Sequence, residues 1–167
     1  MALKLDDQAP DATLLHQDND GAVHKVQLSD LIGGRRAVVF FFPAAGSDTC
    51  TEELCTISNA VQRYNDLDAT VVGISVDSPF AQRVWAKAND ITVPLLSDFN
   101  KTASRTWGVL DELWVPGLFD MEGVAKRSTF ILNRQGKVVY SEVLDDARLL
   151  PDYRAIERTL EELGTDG

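Results

Sequence analysis

The sequence predicts an α/β fold in which a central mixed β-sheet is flanked by helices and extended by an N-terminal β-hairpin. Apolar, strand-like runs at 37–42 and 70–76 are each followed by a segment with helical periodicity. Nearer the C-terminus, the turn residues Asn133-Arg-Gln-Gly136 join two further strand-like segments, as in a hairpin. Strands alternating with helices and then closing with a hairpin are typical of one sheet that is covered by helices on both faces.

The first half of the chain supplies the hairpin, a strand and a long helix. Asp18-Asn-Asp-Gly21 is the expected turn of the hairpin. Residues 37–42 are all apolar, which indicates a buried strand. A helix is predicted over 50–67, with Asp48 or Thr49 as its cap. Its apolar face is formed by residues at three- and four-residue spacing, namely Leu54, Ile57, Val61 and Tyr64.

The second half repeats this order of elements. We predict a strand over 70–76, a helix that begins at Asp77-Ser78-Pro79 and carries Val84, Trp85 and Ala88, a strand over 94–97, a short helix over 101–107, strands over 128–132 and 137–144, and a helix over 151–163. The segment 110–124 is rich in apolar residues but has no period. It is expected to be a loop folded onto the core; the alternative is an apolar wall of a substrate pocket or a subunit contact.

Length and charge exclude several classes of function. The 167 residues predict a single domain over 1–167. A net charge of −10 argues against a nucleic-acid surface, which needs a basic patch. The longest apolar run is far shorter than the ~20 residues that span a bilayer, so no membrane partner is expected. The N-terminus lacks the pattern of a signal peptide, and the expected location is the cytoplasm.

The chain contains two cysteines, Cys50 and Cys55. In a cytosolic chain they are not expected to form a structural disulfide. No metal site is expected either, because His16 and His24 lie far upstream without the spacing of metal ligands.

Cys50 lies where a buried strand passes through a short loop into a helix. The first four N–H groups of a helix have no partner within it, and with the helix dipole they favour a thiolate at this place. Glu52 and Glu53 oppose that charge, so an ionised Cys50 needs a nearby cation. Arg127, at the entry to the strand predicted over 128–132, is the best candidate. The alternative is that Cys50 is a small core residue and Arg127 a surface arginine.

The segment Pro43-Ala-Ala-Gly-Ser47-Asp-Thr-Cys50 resembles the active-site pattern of the peroxiredoxins. The similarity continues through 8–11 (Gln-Ala-Pro-Asp), 94–98 (Pro-Leu-Leu-Ser-Asp) and 127–132 (Arg-Ser-Thr-Phe-Ile-Leu), and it covers about residues 5 to 145. The resemblance implies a thioredoxin-like fold and an enzyme that reduces hydrogen peroxide and organic hydroperoxides. It implies no cofactor and no metal.

The resemblance also implies a role for each matched residue. Cys50 corresponds to the peroxidatic cysteine, and the Ser47 hydroxyl to a group that hydrogen-bonds the peroxide and the sulfur. Arg127 corresponds to the arginine that holds the thiolate and the oxygen under attack, and Pro43 to the residue that shields the sulfur from water. Glu53 matches an acidic position of the family and is expected to orient an arginine.

Cys55 follows Cys50 at the spacing of the resolving cysteine in many peroxiredoxin Q proteins, the bacterioferritin comigratory proteins. Segments 84–86 and 123–127 instead resemble the alkyl hydroperoxide reductase E group, many of whose members use one cysteine. Within one helix, five residues rise about 7.5 Å and turn about 500°, so a disulfide requires the helix to unwind. We expect Cys55 to resolve Cys50; the alternative is a buried structural cysteine.

The resemblance implies a cycle that uses a peroxide substrate and an external dithiol such as thioredoxin. The protein is expected to be a monomer or a homodimer. Two other classes of function are alternatives. A thiol–disulfide oxidoreductase needs Cys-x-x-Cys, whereas four residues separate these cysteines. A thioredoxin-fold holdase without chemistry would use the apolar segment 110–124, but it has no need of Ser47, Cys50 and Arg127 together.

Overall fold

The computed structural model describes residues 1–164 and contains a seven-stranded mixed sheet. In chain order the elements are β1 (Thr13–Gln17), β2 (Val23–Gln27), α1 (Leu28–Ile32), β3 (Arg36–Phe41), α2 (Asp48–Asp66), β4 (Ala69–Ser75), α3 (Pro79–Ala88), β5 (Leu95–Ser97), α4 (Thr102–Thr106), β6 (Leu110–Asp111), β7 (Val124–Ala125), β8 (Ser128–Leu132), β9 (Val138–Val143) and α5 (Tyr153–Glu162). The strand order in the sheet is β2-β1-β5-β4-β3-β8-β9. The predicted mixed sheet and N-terminal hairpin are confirmed.

The core lies on both faces of the sheet because strand side chains alternate between faces. Strand β3 is buried along its whole length. Val38 and Phe40 face a cluster that includes buried side chains of α2, α3 and α5. Val39 and Phe41 face the opposite cluster, where the rings of Trp107 and Phe130 pack at 5.2 Å between centroids.

The strand order determines which loops meet. Strand β3 runs parallel to β4 and antiparallel to β8, with Phe41 opposite Ser128. The C-terminal end of β3 and the N-terminal end of β8 therefore lie at the same end of the sheet. Pro43 follows the end of β3 and Arg127 precedes the start of β8, so both residues lie at this end of the sheet.

Helix α2 begins two residues earlier than predicted. Its N-cap is Ser47, in an extended conformation (φ −72°, ψ 150°), and not Asp48 or Thr49 as expected. The Thr51 N–H donates to the Ser47 carbonyl at 2.9 Å, which places Asp48 inside the first turn. Helix α1 was not predicted, because its five residues are too few to show a helical period.

The segment 110–124 differs from the prediction of a loop folded onto the core. Strands β6 and β7 pair at its base, and Trp114 forms a bridge with Met121 nearer the tip. Its large apolar side chains are mostly exposed, with Leu118 at 72% and Phe119 at 55% of their full surface. The prediction was wrong because an apolar composition without a period does not show which way the side chains point.

No helix in the described part of the chain is long and apolar enough to cross a membrane. The longest, α2, has 19 residues and carries charged side chains in its first and last turns.

Truncating Phe130 to alanine should destabilise the fold by about 3–5 kcal/mol, because it leaves a cavity against Phe41 and Trp107. Urea unfolding followed by circular dichroism measures the change. Phe99→Ala is the matched control, because that ring is 59% exposed and its loss should change the free energy of unfolding by less than about 0.5 kcal/mol. Equal effects of the two substitutions would contradict the assignment of Phe130 to the core.

Candidate active site

Cys50 is the third residue of α2 and is fully buried. It lies in the first helical turn, where backbone N–H groups lack partners within the helix. The preceding loop, 42–47, carries the chain from the end of β3 to the start of α2. The predicted strand–loop–helix setting of this cysteine is therefore present.

A tight turn precedes the helix. The Ser47 N–H and the Ser47 hydroxyl both donate to the Ala44 carbonyl, at 3.3 and 3.1 Å. Gly46 has φ +93°, a conformation that favours glycine in a turn of this kind. The Ser47 hydroxyl thus donates its hydrogen to Ala44, and its oxygen keeps lone pairs to accept a bond. Pro43, at the start of this loop, is buried.

Arg127 brings a buried cation to the sulfur. One guanidinium nitrogen, Nη1, lies 3.5 Å from Cys50 Sγ and also donates to the Glu53 carboxylate. The other, Nη2, donates to the Ala147 carbonyl at 3.0 Å. The side chains of Arg127 and Glu53 are 1% and 0% exposed. The structure therefore brings Cys50, Glu53 and Arg127 together as the resemblance implied.

Burial and charge act in opposite directions on this ion pair. Burial raises the pKa of Glu53 to about 7; the positive charge and hydrogen bond of Arg127 limit the rise, and Glu142 adds to it. Burial disfavours the charge on Arg127, but Glu53 and Cys50 outweigh that effect and raise the pKa of Arg127. The guanidinium therefore stays charged beside the sulfur.

A hydrogen-bonded chain from α3 holds the first turn of α2. The Trp85 indole N–H donates to the Thr51 hydroxyl at 3.1 Å, and that hydroxyl donates to the Ser47 carbonyl at 2.8 Å. The Trp85 ring also packs on Phe42, with centroids 5.4 Å apart. The sequence placed Trp85 on this helix but did not reveal its partner, because the acceptor of an indole N–H cannot be identified from spacing along the chain.

Cys55 lies in the same helix as Cys50, as predicted. It is half-buried, and its thiol lies 3.6 Å from the Asn89 carbonyl. Both cysteines are free thiols. Because five helical residues rise about 7.5 Å, the two sulfurs cannot join until the first turns of α2 unwind. Among residues 1–164 no group of three His, Cys, Asp or Glu side chains could hold a metal ion.

A sheet of this topology with a cysteine at a helix start beside a buried arginine fits the class of thiol peroxidases. Comparison with known families matches residues 5–141 to the AhpC/TSA family. A protein of Mycobacterium tuberculosis (strain ATCC 25618 / H37Rv), named as a putative peroxiredoxin, is 36% identical over 136 residues, which cover 81% of this chain and 82% of that protein. The chain belongs to the AhpC/TSA family, the peroxiredoxins, and is a thiol-dependent peroxidase.

Solved structures agree with this assignment. The crystal structure of peroxidoxin BcpB from Mycobacterium tuberculosis superposes with a TM-score of 0.78 at 29% identity, over 96% of this chain and 98% of that one. The structure of AhpC from Enterococcus faecalis gives 0.80 at 28% identity, over 97% and 92% of the two chains. The thioredoxin-like fold implied by the resemblance is thereby confirmed.

The pKa of Glu53 predicts a pH-dependent stability. Its folded pKa of about 7 lies above the ordinary 4.5, so the folded state retains a proton that the unfolded state releases. The contribution of Glu53 to the free energy of unfolding should therefore fall as pH rises from about 4.5 to 7 and level off above that range. Urea unfolding from pH 4.5 to 8 should show a steeper fall for wild type than for Glu53→Gln.

Glu52→Gln is the control for this experiment, because Glu52 is the exposed neighbour of Glu53 in the same helical turn. That variant should keep the wild-type slope. The comparison uses slopes and not absolute stabilities, because Glu53→Gln also removes the charge that compensates Arg127. Identical slopes for Glu53→Gln and wild type would contradict the prediction.

Proposed function

We propose that Cys50 is the peroxidatic cysteine. Its thiolate attacks one oxygen of a hydroperoxide, a sulfur–oxygen bond forms, and the O–O bond breaks. The departing oxygen takes up a proton and leaves as water or an alcohol, while Cys50 becomes a sulfenic acid. The observation that carries this proposal is the 3.5 Å contact between the sulfur and the buried guanidinium of Arg127.

The neighbouring residues support each part of that step. Arg127 stabilises negative charge on the sulfur and on the oxygens as the O–O bond lengthens, and it acts in a buried setting where such stabilisation is strong. Because the Ser47 hydroxyl donates to Ala44, its oxygen accepts the hydrogen of the incoming hydroperoxide. Pro43 closes the site against water. Cys50 is fully buried, so the peroxide reaches it only after neighbouring side chains move.

We further propose that Cys55 resolves the sulfenic acid. Its thiol condenses with the oxidised Cys50, which forms a disulfide and releases water. This step requires the first turns of α2 to unwind, and the bonds from Trp85 to Thr51 and from Thr51 to Ser47 then break. An external dithiol such as thioredoxin returns both cysteines to thiols by disulfide exchange.

The chemistry also favours a location. Two free thiols that must be reduced after each turnover fit the cytoplasm, where dithiol reductants are maintained. We propose that the enzyme works there as a single domain over 1–167.

A one-cysteine cycle is the second candidate. The observation that favours it is the packing of the Cys55 thiol on the Asn89 carbonyl, which fits a structural cysteine. In that case Cys55 stays reduced, and an external thiol attacks the sulfenic acid on Cys50 directly.

Single-turnover peroxide consumption by wild type, Cys50→Ser and Cys55→Ser tests the assignment. Cys50→Ser should be inactive, because serine offers no thiolate. Cys55→Ser should complete one turnover at the wild-type rate, because its sulfur takes no part in the first step. Mass spectrometry after one equivalent of peroxide should show a Cys50–Cys55 disulfide in wild type. A stable sulfenic acid with Cys55 free would favour the one-cysteine cycle, and an active Cys50→Ser would end the proposal.

Thr51→Val tests the unwinding step. Valine has the shape of threonine but cannot link Trp85 to the Ser47 carbonyl, so the first turn of α2 opens more easily. Losing about 1 kcal/mol of hydrogen bonding should speed disulfide formation about fivefold and lower the yield of sulfinic acid at high peroxide. Rapid-quench mass spectrometry measures both. Thr56→Val is the control, because Thr56 is an exposed threonine of the same helix; equal rates in the two variants would refute the role of Thr51.

A further inference from the structure

An acidic side chain from the adjoining strand–helix connection contacts the turn before Cys50. Asp77 lies between β4 and α3. Its Oδ2 accepts the Ala45 N–H at 2.8 Å and the Ser75 hydroxyl at 2.7 Å. Bonds to a carboxylate are stronger than bonds between neutral groups. Asp77 therefore ties the middle of the turn to the end of β4.

The carboxylate is itself held from the core. The Gln82 side-chain amide donates to the Ser75 hydroxyl at 2.9 Å and to the Leu96 carbonyl at 3.0 Å. Ser75 and Gln82 are 0% and 2% exposed. The Ser97 hydroxyl donates to the Asp77 backbone carbonyl at 2.6 Å. Side chain and backbone of Asp77 are thus both fixed by neighbouring elements.

The turn links Asp77 to Pro43 and Ser47, the residues proposed to act beside the reacting sulfur. Its two ends are joined by the bonds from Ser47 to the Ala44 carbonyl. Ser47 is the N-cap that precedes Cys50 by three residues, and Pro43 stands at the other end. Gly46 is exposed and has open space around its α-carbon, so it adds no packed side chain, and Ala45 packs only partly against the core. The Ala45 N–H bond to Asp77 supplies a fixed anchor instead.

We propose that Asp77 is a positioning residue for the peroxidase reaction. It holds loop 42–47 so that Pro43 and the Ser47 oxygen face the peroxide bound at Cys50, and it touches neither the sulfur nor the substrate. This inference rests on the proposed role of Cys50. It predicts a loss that is specific to peroxide, because the sulfur and its partner Arg127 stay in place when Asp77 is removed.

Two reagents separate positioning from a general structural role. In a Cys55→Ser background, where Cys50 is the only thiol, hydrogen peroxide requires the positioned loop, whereas iodoacetamide alkylates any accessible thiolate. Asp77→Ala should slow the peroxide reaction by about 100-fold, the loss expected for a misplacement of about 1 Å. The rate of alkylation should stay within about threefold of the parent or rise, because the loop covers the sulfur less well.

Matched variants complete the test. Asp77→Asn keeps an oxygen that accepts the Ala45 N–H and should recover most of the peroxide rate. Ser75→Ala removes only the supporting hydroxyl and should cause a smaller loss of the same kind. It also serves as the second probe if Asp77→Ala does not fold. Asp66→Ala, at the exposed end of α2, is the control and should leave both rates unchanged.

The outcomes are distinguishable. Equal slowing of both reagents in Asp77→Ala and Ser75→Ala, or an unchanged peroxide rate in both, would overturn the role of Asp77. If Cys50→Ser still consumes peroxide, the proposed function itself fails. If Cys50→Ser is inactive while Asp77→Ala reacts at the parent rate, only the positioning role is lost.

Discussion

The structure of this site depends on one buried cation. A buried guanidinium needs an opposite charge or hydrogen-bond acceptors beside it, since an unpaired buried charge costs several kcal/mol. Arg127 finds its partners on two separate segments: the Glu53 carboxylate and the Cys50 sulfur on α2, and the Ala147 carbonyl before α5. The sheet makes this possible, because β8 lies antiparallel beside β3 and delivers Arg127 to the edge where the chain enters α2. Fold and reactivity are therefore coupled through one side chain.

In the proposed cycle, the first turn of α2 has to satisfy two opposed requirements. Attack on a peroxide needs Cys50 fixed beneath Arg127, and bonds from Thr51 and Trp85 keep the turn wound. Disulfide formation needs that turn to open, because helical geometry separates the two cysteines. The strength of the hydrogen bonds across the turn therefore affects both steps. Stronger bonds favour the arrangement that reacts with peroxide, and weaker bonds favour formation of the disulfide before a second peroxide arrives.

Residues that share a sequence motif or a strand end were predictable, whereas contacts between distant polar groups were not. Cys50 and Arg127 were identified because one begins a helix and the other enters a strand, and strand order then brings them together. Glu53 was identified from a family position. Asp77 and the partner of Trp85 were missed. An aspartate before a helix more often caps the helix, and a tryptophan on a helix more often only packs in the core. Helix α2 begins two residues before the predicted start, with Ser47 as its cap, because a turn at Gly46 and not helical periodicity decides where the helix begins.

At this site the fold places the two acidic neighbours of Cys50 in different surroundings. Glu52 and Glu53 follow Cys50 closely and, judged by sequence distance, both oppose a thiolate. A helix turns by about 100° per residue, so one carboxylate reaches solvent and the other points into the core. There Glu53 does not face the sulfur as a free charge, because it is neutralised by Arg127 and holds that arginine in place. Glu53, which by sequence distance opposes a thiolate, thus holds the guanidinium that lies beside the sulfur.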